Sequence, residues 1–324
     1  MSSAHDVVVL GEVLVEVSTA LPAAAGVEAV LSFSGDALNA AAAAAAAGAR
    51  TGLVARVPDD ELGDALVDRV AALGVGTDLL RRVPGQHGVY LQHSDPAGER
   101  QFSYARAGSA GSTLDAEDLD DDVVAAAGVV LASGITAAVS ASALAAVRRA
   151  ARSARRFVFD PNHRPRLTSA AAARAVLAEL APRAALVTPS WPGETGLLLD
   201  ADDPRAAAAA VRALGAAAAA VTCGSRGVLV SGDGPDTWVP AVPAPALVDQ
   251  TGAGDVLAGT TAARLAQGDD LVQAVRTGTA AASLALGGRG GTGLVASAAD
   301  VRAHLATAGR PPVVLDPTED PWTA

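Results

Sequence analysis

Residues 249–255 (DQTGAGD) place a glycine-rich turn and an acid directly ahead of a helix-like run. Gly252 and Gly254 can take backbone angles closed to other residues, so the amides of the turn and of the helix start would converge on one point. Such unpaired amides attract anions. Asp255 would then lie where a phosphoryl group is held and could accept the proton of a substrate hydroxyl. The segment predicts phosphoryl transfer, and the alternative is a plain glycine turn capped by an aspartate.

Residues 34–39 (SGDALN) open a long alanine run and form a second polar group. Gly35 permits the close approach of a ligand, while Asp36 and Asn39 could hydrogen bond to hydroxyl groups such as those of a sugar. The alternative is that Asp36 only caps the helix that follows.

Residues 160–167 (DPNHRPRL) follow a strand-like run that ends at Phe159. Ligands of α/β proteins bind at the carboxyl ends of parallel strands, so this loop is placed for a substrate. Two prolines stiffen the loop, and an arginine fork matches a carboxylate through two parallel bonds. The alternative is a pair of solvated surface charges. His163 has no neighbour at metal-ligand spacing, and we interpret it as structural.

The chain has 24 Lys+Arg positions, and every one of them is arginine. This excludes a Walker-A loop, the strand lysine of protein kinases and the amine of pyridoxal or Schiff-base enzymes. If the protein moves phosphate, it must use backbone amides, arginine and metal.

Charge and cysteine content restrict the partners and the compartment. The formal net charge of −11 argues against a broad basic surface for nucleic acid. Cys223 is the only cysteine, which excludes an intrachain disulfide and a thiolate zinc cluster and fits a reducing cytoplasm. The first residues do not resemble a signal peptide, and the apolar strand after them is too short to span a bilayer. We therefore expect a cytoplasmic protein without nucleic-acid or membrane partners.

Short β-branched runs alternate with alanine-rich runs, which is typical of a mainly parallel sheet covered by helices on both faces. Residues 88–104 depart from this alternation, because they form two extended runs around a turn at 95–98 (DPAG) with no helix between them. They predict a hairpin in a small β lid over the site, and an exposed excursion without a role is the alternative. No linker marks a second domain. The predicted strands are 7–10, 128–131, 156–159, 184–187 and 219–222, and the predicted helices are 36–48, 59–73, 255–267 and 270–286.

Two of these segments resemble signatures of one enzyme family. Residues 249–255 resemble the DTxGAGD signature of the ribokinase-like (PfkB) carbohydrate kinases, and residues 34–39 resemble the family's upstream GGxxxN signature, with Ser34 in place of the first glycine. The resemblance implies one three-layer α/β/α domain over residues 1–324, with a mainly parallel sheet and a small β lid from about residues 12–34 and 86–107. The implied residues are Asp255 as catalytic base, Gly252, Ala253 and Gly254 as anion hole, and Gly35, Asp36 and Asn39 as sugar contacts.

Further segments narrow the resemblance to the 2-keto-3-deoxygluconate kinases within that family. They are the loop at 160–167, the two runs of the predicted hairpin, and Gly11-Glu12 near the start. Thr168 stands where this subgroup often has tryptophan. In the subgroup an acid sugar is surrounded by a tyrosine from each lid strand, the arginine just after them and the loop arginine, which implies Tyr90, Tyr104, Arg106 and Arg166.

The predicted nucleotide-binding residues come from two shorter segments. Residues 222–227 (TCGSRG) look like the family's nucleotide-binding TxGxxG, with a simple hairpin turn as the alternative. Residues 190–194 (SWPGE) stand where the family has NxxE, whose glutamate helps to organise magnesium through water; here serine replaces the asparagine and the acid lies one position further on. The resemblance implies ATP and Mg²⁺. The implied cofactor contacts are Ser190, Thr222, Gly224 and Gly227, and the implied metal residue is Glu194.

Together these patterns predict an ATP-dependent sugar kinase. Arg106 and Arg166 would face each other across the site and suit a carboxylate taken out of water, so we expect 2-keto-3-deoxygluconate as substrate and its 6-phosphate as product. A neutral sugar such as fructose or ribose is the first alternative, and a non-catalytic, sugar-responsive regulatory protein is the second. Because the predicted lid exposes a face and edges, we expect a homo-oligomer paired through residues 88–104.

Overall fold

The computed structural model describes residues 5–95 and 100–316. None of the helices in these two stretches is long and apolar enough to cross a membrane. The strands are β1 (Val7–Leu10), β2 (Leu14–Pro22), β3 (Val30–Ser34), β4 (Thr51–Pro58), β5 (Leu80–Val83), β6 (Val89–Ser94), β7 (Arg100–Ala105), β8 (Val129–Ser133), β9 (Phe157–Asp160), β10 (Ala184–Val187), β11 (Ala219–Thr222), β12 (Gly227–Ser231), β13 (Thr237–Pro240) and β14 (Val313–Val314). The helices are α1 (Asp36–Ala46), α2 (Glu61–Ala72), α3 (Asp121–Ala126), α4 (Gly134–Val139), α5 (Ala141–Ser153), α6 (Ala170–Leu180), α7 (Thr195–Leu199), α8 (Pro204–Ala213), α9 (Ala253–Ala266), α10 (Leu271–Ala285) and α11 (Ala298–Ala308).

A large sheet runs through the described chain in the order β14-β13-β12-β11-β10-β9-β8-β1-β4-β5. Neighbours from β11 to β5 are parallel, and β12 to β14 add an antiparallel edge. Alternate residues of β1 enter two separate hydrophobic clusters: Val8 and Leu10 pack with α5 and α6, and Val7 and Val9 pack with α1 and α9. Helices therefore cover both faces, and the predicted α/β fold with a mainly parallel sheet is confirmed.

The predicted elements lie close to the observed ones. The strand predicted at 7–10 matches β1 residue for residue. The helix predicted from residue 59 begins at Glu61, because the side chain of Asp60 accepts the Gly63 amide at 2.8 Å and caps it. The helix predicted from Asp255 begins two residues earlier, where Gly252, with φ 80°, turns the chain into α9.

A second sheet has the order β3-β2-β6-β7. β6 and β7 pair antiparallel, with Tyr90 opposite Tyr104, so the two extended runs predicted within 88–104 are present. Of the turn predicted at 95–98, only Asp95 lies within the described residues. β2 pairs parallel with β6 and antiparallel with β3, which joins the N-terminal segment to this hairpin.

Helices α1 and α9 pack closely, because alanine and glycine form their contact. α1 consists largely of buried alanine. In α9, a Cβ at Gly259 would lie 2.0 Å from the carbonyl oxygen of Ala40, so only glycine allows this approach. Since α1 carries Asn39 and α9 carries Asp255, the contact joins two polar side chains 216 positions apart in sequence.

Candidate active site

A cavity of about 710 Å³ opens between the large sheet and the second sheet. Asp160 and Thr222, at the ends of β9 and β11, line it from the large sheet. Tyr90 and Tyr104 line it from the second sheet, and the first turn of α9 lines it as well. The carboxyl edge of a parallel sheet is the usual ligand site of such folds.

The turn before α9 brings the predicted base and amides to this cavity. Gly252, Ala253, Gly254 and Asp255 all line it. A Cβ at Gly254 would meet nothing within 4 Å, so the backbone is open here. The first-turn amides of a helix have no intrahelical acceptor and can bind an anion. The Ala253 amide donates to the carbonyl of Gln250 at 3.3 Å and closes the turn, and its place in the anion hole stays a prediction.

Two amide side chains hold the Asp255 carboxylate. Nδ2 of Asn39 donates to Oδ2 at 2.8 Å, and Nδ2 of Asn162 donates to Oδ1 at 3.1 Å. Burial, together with repulsion from Asp36, raises the pKa of Asp255 to about 7 against the opposing effect of the hydrogen bond from Asn39. A carboxyl group with a pKa near neutrality is suited to take a proton at cellular pH.

The predicted sugar contacts at the start of α1 share the same cavity. Gly35 has φ 130°, and a Cβ there would lie 2.8 Å from the carbonyl oxygen of Glu12. The backbone therefore requires glycine here. Asp36 accepts the hydroxyl of Ser133, and burial raises the pKa of Asp36. Asp36 is not the helix cap, because the N-cap of α1 is Gly35 and no side-chain cap bond is present; a residue of β8 orients its side chain instead.

The second-sheet residues contact two buried carboxyl groups that the sequence analysis did not assign. The hydroxyl of Tyr90 donates to Oε2 of Glu16 at 2.5 Å. Nη1 of Arg106 lies 2.5 Å from Oε1 of Glu12, and its guanidinium stacks 4.8 Å from the centre of the Tyr104 ring. These contacts fix the ring of Tyr90 and one edge of Arg106 and leave further donors of the guanidinium for a ligand.

Arg166 lines the cavity and also joins the β9 loop to the second sheet. Its Nη1 donates to the carbonyl oxygen of Phe102 at 2.8 Å. Arg106 lines the same cavity, so the structure brings both arginines to one site. Arg164 lines it too, and its charge lowers the pKa of Asp36 and Asp255 against the effect of burial.

On the predicted nucleotide side, the structure brings only part of the set to the cavity. Ser190 and Thr222 line it, and an isolated parallel bridge joins Ser190, beyond the end of β10, to Thr222 at the end of β11. Gly224 and Gly227 are not among its lining residues; Gly224 lies in the turn between antiparallel β11 and β12, and Gly227 is the first residue of β12. Gly227 has φ 134°, and a Cβ there would lie 2.3 Å from the Val239 carbonyl oxygen, so this glycine is required by the hairpin itself.

Glu194 is buried at the cavity and binds two backbone amides. Its Oε2 accepts the Ser190 amide at 2.8 Å, and its Oε1 accepts the His163 amide. Asp160 lies beside it, and burial together with repulsion from Glu194 and Asp255 raises the pKa of Asp160 well above its ordinary value. Across the described residues, no group of three or more His, Cys, Asp or Glu could hold a metal ion directly. A magnesium ion fits this site through water, since its charge would relieve the repulsion between the acids.

Sequence reasoning missed several residues of this site. Asn162 and Asp160 stood in a loop that we placed at the site, yet neither was given a role. The sequence signal for both residues was their position at the end of β9. Asn162 also has a φ of 37°, which asparagine tolerates better than most residues. Glu12 was noted only as part of the Gly11-Glu12 resemblance and was given no role, and Glu16 gave no signal, because a single acid in a strand pattern reads as a solvent-facing position.

The fold and the site define a phosphotransferase in which helix amides and an acid lie at the edge of a parallel sheet. Residues 4–297 match the profile of the pfkB family carbohydrate kinases. The chain therefore belongs to the pfkB family of carbohydrate kinases, as its resemblance predicted.

Three relatives illustrate the similarity. A 2-dehydro-3-deoxygluconokinase of Thermoproteus tenax is 35% identical over 289 residues, which cover 87% of this chain and 89% of the relative. The crystal structure of a PfkB protein from Polaromonas superposes with a TM-score of 0.82 at 26% identity, covering 93% of this chain and 100% of that one. A putative ribokinase II from E. coli, solved with ATP and Mg²⁺, has a TM-score of 0.83 at 23% identity, covering 93% of this chain and 99% of that one.

Proposed function

We propose that this protein is an ATP-dependent kinase that phosphorylates the 6-hydroxyl of 2-keto-3-deoxygluconate. The observation that carries the kinase chemistry is the Asp255 carboxylate, bonded to Asn39 and Asn162 beside the open first turn of α9. The substrate is supported by the Thermoproteus tenax relative, because 2-dehydro-3-deoxygluconate is another name for 2-keto-3-deoxygluconate. One kinase domain spans the chain, and the second sheet acts as its lid.

In the proposed reaction, Asp255 accepts the proton of the sugar hydroxyl as that oxygen attacks the terminal phosphorus of ATP. The bond between this phosphorus and the bridging oxygen breaks, and ADP leaves. Negative charge develops on the transferred group, and the amides of Gly252 and Gly254 stabilise it from fixed positions. Asn39 and Asn162 hold the carboxylate in one orientation. They can only donate through their NH₂ groups, so they do not compete for the proton.

ATP occupies the side of the cavity near Ser190 and Thr222. Asp160 and Glu194 would hold magnesium through water, and the bound ion offsets the charge of the phosphates. The E. coli structural relative was solved with both ATP and Mg²⁺, which supports these two cofactors.

The arginines favour an acid sugar over a neutral one. Arg106, Arg164 and Arg166 all line the cavity, and a carboxylate removed from water needs such partners. A neutral sugar needs hydroxyl partners only. Fructose and ribose are therefore the comparison substrates.

The test is the specificity constant of the wild-type protein for 2-keto-3-deoxygluconate, fructose and ribose, followed by ADP release. We expect the acid sugar to be the best substrate. If a neutral sugar is better by a wide margin, the arginine argument is wrong and only the kinase proposal remains. Sugar binding without any sugar-dependent ADP release would favour the regulatory alternative.

The variant Arg166→Ala tests the carboxylate contact within the same assay. One charge-assisted bond contributes about 1.5–3 kcal/mol, so the specificity constant for the acid sugar should fall roughly ten- to a hundredfold. The constant for fructose measures any damage to the lid contact with Phe102 and should change little. Arg174→Ala is the matched control, because Arg174 pairs with Asp200 on the surface. Equal losses for both sugars would contradict the proposed contact.

We also propose a cytoplasmic location, because the chain has only one cysteine, Cys223, and so forms no intrachain disulfide. Burial raises the pKa of Cys223 to about 12, so its thiol stays protonated and unreactive.

We propose a homodimer formed through the second sheet. Apolar side chains are exposed on this sheet, at Leu21, Val30 and Leu31, and a second copy could cover them.

A further inference from the structure

The second sheet and the turn at residues 250–254 are both bonded to one carboxylate, that of Asp249. Its Oδ1 lies 2.5 Å from Nη1 of Arg100 and accepts the Thr251 amide at 2.7 Å. Its Oδ2 accepts Nε2 of Gln92 at 3.0 Å and the Gly290 amide at 2.9 Å. β6 and β7 therefore each send one side chain to the residue directly ahead of the turn at 250–254.

Arg100 supplies the positive charge at this carboxylate. The Asp249 side chain is only 3% exposed, and a buried carboxylate is costly unless it is paired. Burial raises the pKa of Asp249, but hydrogen bonds, led by that from Gln92, outweigh it, so the pKa lies below its ordinary value. Arg100 also lies 3.5 Å from the hydroxyl of Thr251. The guanidinium thus bridges the second sheet and the turn.

We propose that Arg100 is a positioning residue for phosphoryl transfer, and that through Asp249 it fixes the second sheet to the turn at 250–254. This rests on the proposed function. The sugar-side residues Tyr90 and Tyr104 belong to that sheet, whereas the base and the anion-binding amides belong to the start of α9. The distance between the sugar and ATP therefore depends on the contact between Arg100 and Asp249. A misplacement of about 1 Å can cost about a hundredfold in rate.

The test compares Arg100→Gln with the charge-conserving Arg100→Lys. We expect Arg100→Gln to lower kcat roughly ten- to a hundredfold, while the Kd for the sugar changes by less than about threefold. Arg100→Lys keeps the charge at Asp249 and should recover most of the lost kcat. Arg81→Gln is the matched control, because Arg81 pairs with Asp118 from an exposed position on β5 and should leave both constants unchanged. An unchanged kcat in Arg100→Gln, or a weaker Kd with kcat intact, overturns the proposal.

A second measurement does not depend on activity. Hydrogen exchange of the backbone amides at 250–254 should be faster in Arg100→Gln than in the wild-type protein and in Arg81→Gln. Exchange that is equally slow in all three overturns the positioning role, even if kcat falls. If the wild-type protein phosphorylates no sugar, the proposed function fails, and the exchange comparison still decides whether Arg100 orders this turn.

Discussion

The Asp255 carboxylate is bound by groups that orient it without taking its proton. Asn39 and Asn162 each donate one hydrogen bond, and both side chains are themselves buried. Asn39 is held in turn by the hydroxyl of Ser34, which donates to its Oδ1 at 3.0 Å. This fixes which end of the Asn39 amide faces Asp255. The residue that stands in place of the family's first glycine therefore has a structural use here.

Replacing Asp255 by asparagine tests the base directly. Asp255→Asn removes the proton acceptor and should lower kcat by about 10²- to 10⁴-fold, with a small effect on sugar binding. ADP release and sugar calorimetry measure the two effects. Asp121→Asn, at an exposed acid that pairs with Arg149, is the control and should behave as wild type. Turnover near the wild-type rate in Asp255→Asn would exclude Asp255 as the base.

The pKa of Asp255 also predicts how activity depends on pH. A base must be ionised to act, and the pKa of this carboxyl group is raised to about 7. The rate constant kcat/KM should therefore rise about tenfold per pH unit on the acid side of pH 7 and level off above it. Steady-state kinetics over a pH series measures this.

Glu12 provides the control for that profile, because burial raises its pKa to about 7 as well. Glu12→Gln removes this second titrating group and leaves Asp255 in place. If Asp255 sets the profile, the midpoint stays near its wild-type value in Glu12→Gln. Loss of the rise in this variant would assign the titration to Glu12.

At the scale of elements, the contact between α1 and α9 assembles the site. Gly259→Ala adds a Cβ whose position lies 2.0 Å from the Ala40 carbonyl oxygen, so the two helices must move apart. Overpacking of this kind costs about 1–3 kcal/mol and should lower Tm by several degrees. It should also lower kcat, since Asn39 and Asp255 lie on the two separated helices.

Gly234→Ala is the matched glycine control for this variant. A Cβ at Gly234 would meet nothing within 4 Å, so thermal unfolding and kcat should match the wild-type values. If Gly259→Ala melts and turns over like Gly234→Ala, close helix packing does not hold the site together.

The elements themselves could be predicted far better than their contacts. β1 and the two helices α9 and α10 were predicted within two residues, because β-branched runs, caps and glycines are local signals. The pairs Arg106–Glu12 and Tyr90–Glu16 depend on how β2 lies beside β6, which no local pattern encodes. The nucleotide contacts predicted at Gly224 and Gly227 stay predictions, since both glycines lie outside the lining of the cavity. Asp255 and Asn39 were found only because both stand in recognisable segments.

At the scale of the whole molecule, the second sheet faces the cavity on one side and leaves an edge strand, β3, exposed on the other. Gln92, Arg100 and Arg166 hold this sheet to the rest of the chain. Leu21, Val30 and Leu31 are exposed on β2 and β3, and Tyr104 is exposed on β7, so the proposed dimer interface would include β3 as well as residues 88–104.

A substitution in β3 tests whether a second copy covers that edge. Leu31 is 59% exposed, and burying its side chain in a dimer would contribute about 1.5–3 kcal/mol, whereas a buried, unpaired carboxylate would oppose association. We expect the wild-type protein to be a dimer in light scattering at micromolar concentration and Leu31→Asp to be a monomer. Leu197→Asp, at a 45% exposed leucine of α7, is the control and should remain dimeric. A monomeric wild-type protein contradicts the dimer, and a dimeric Leu31→Asp places its interface elsewhere.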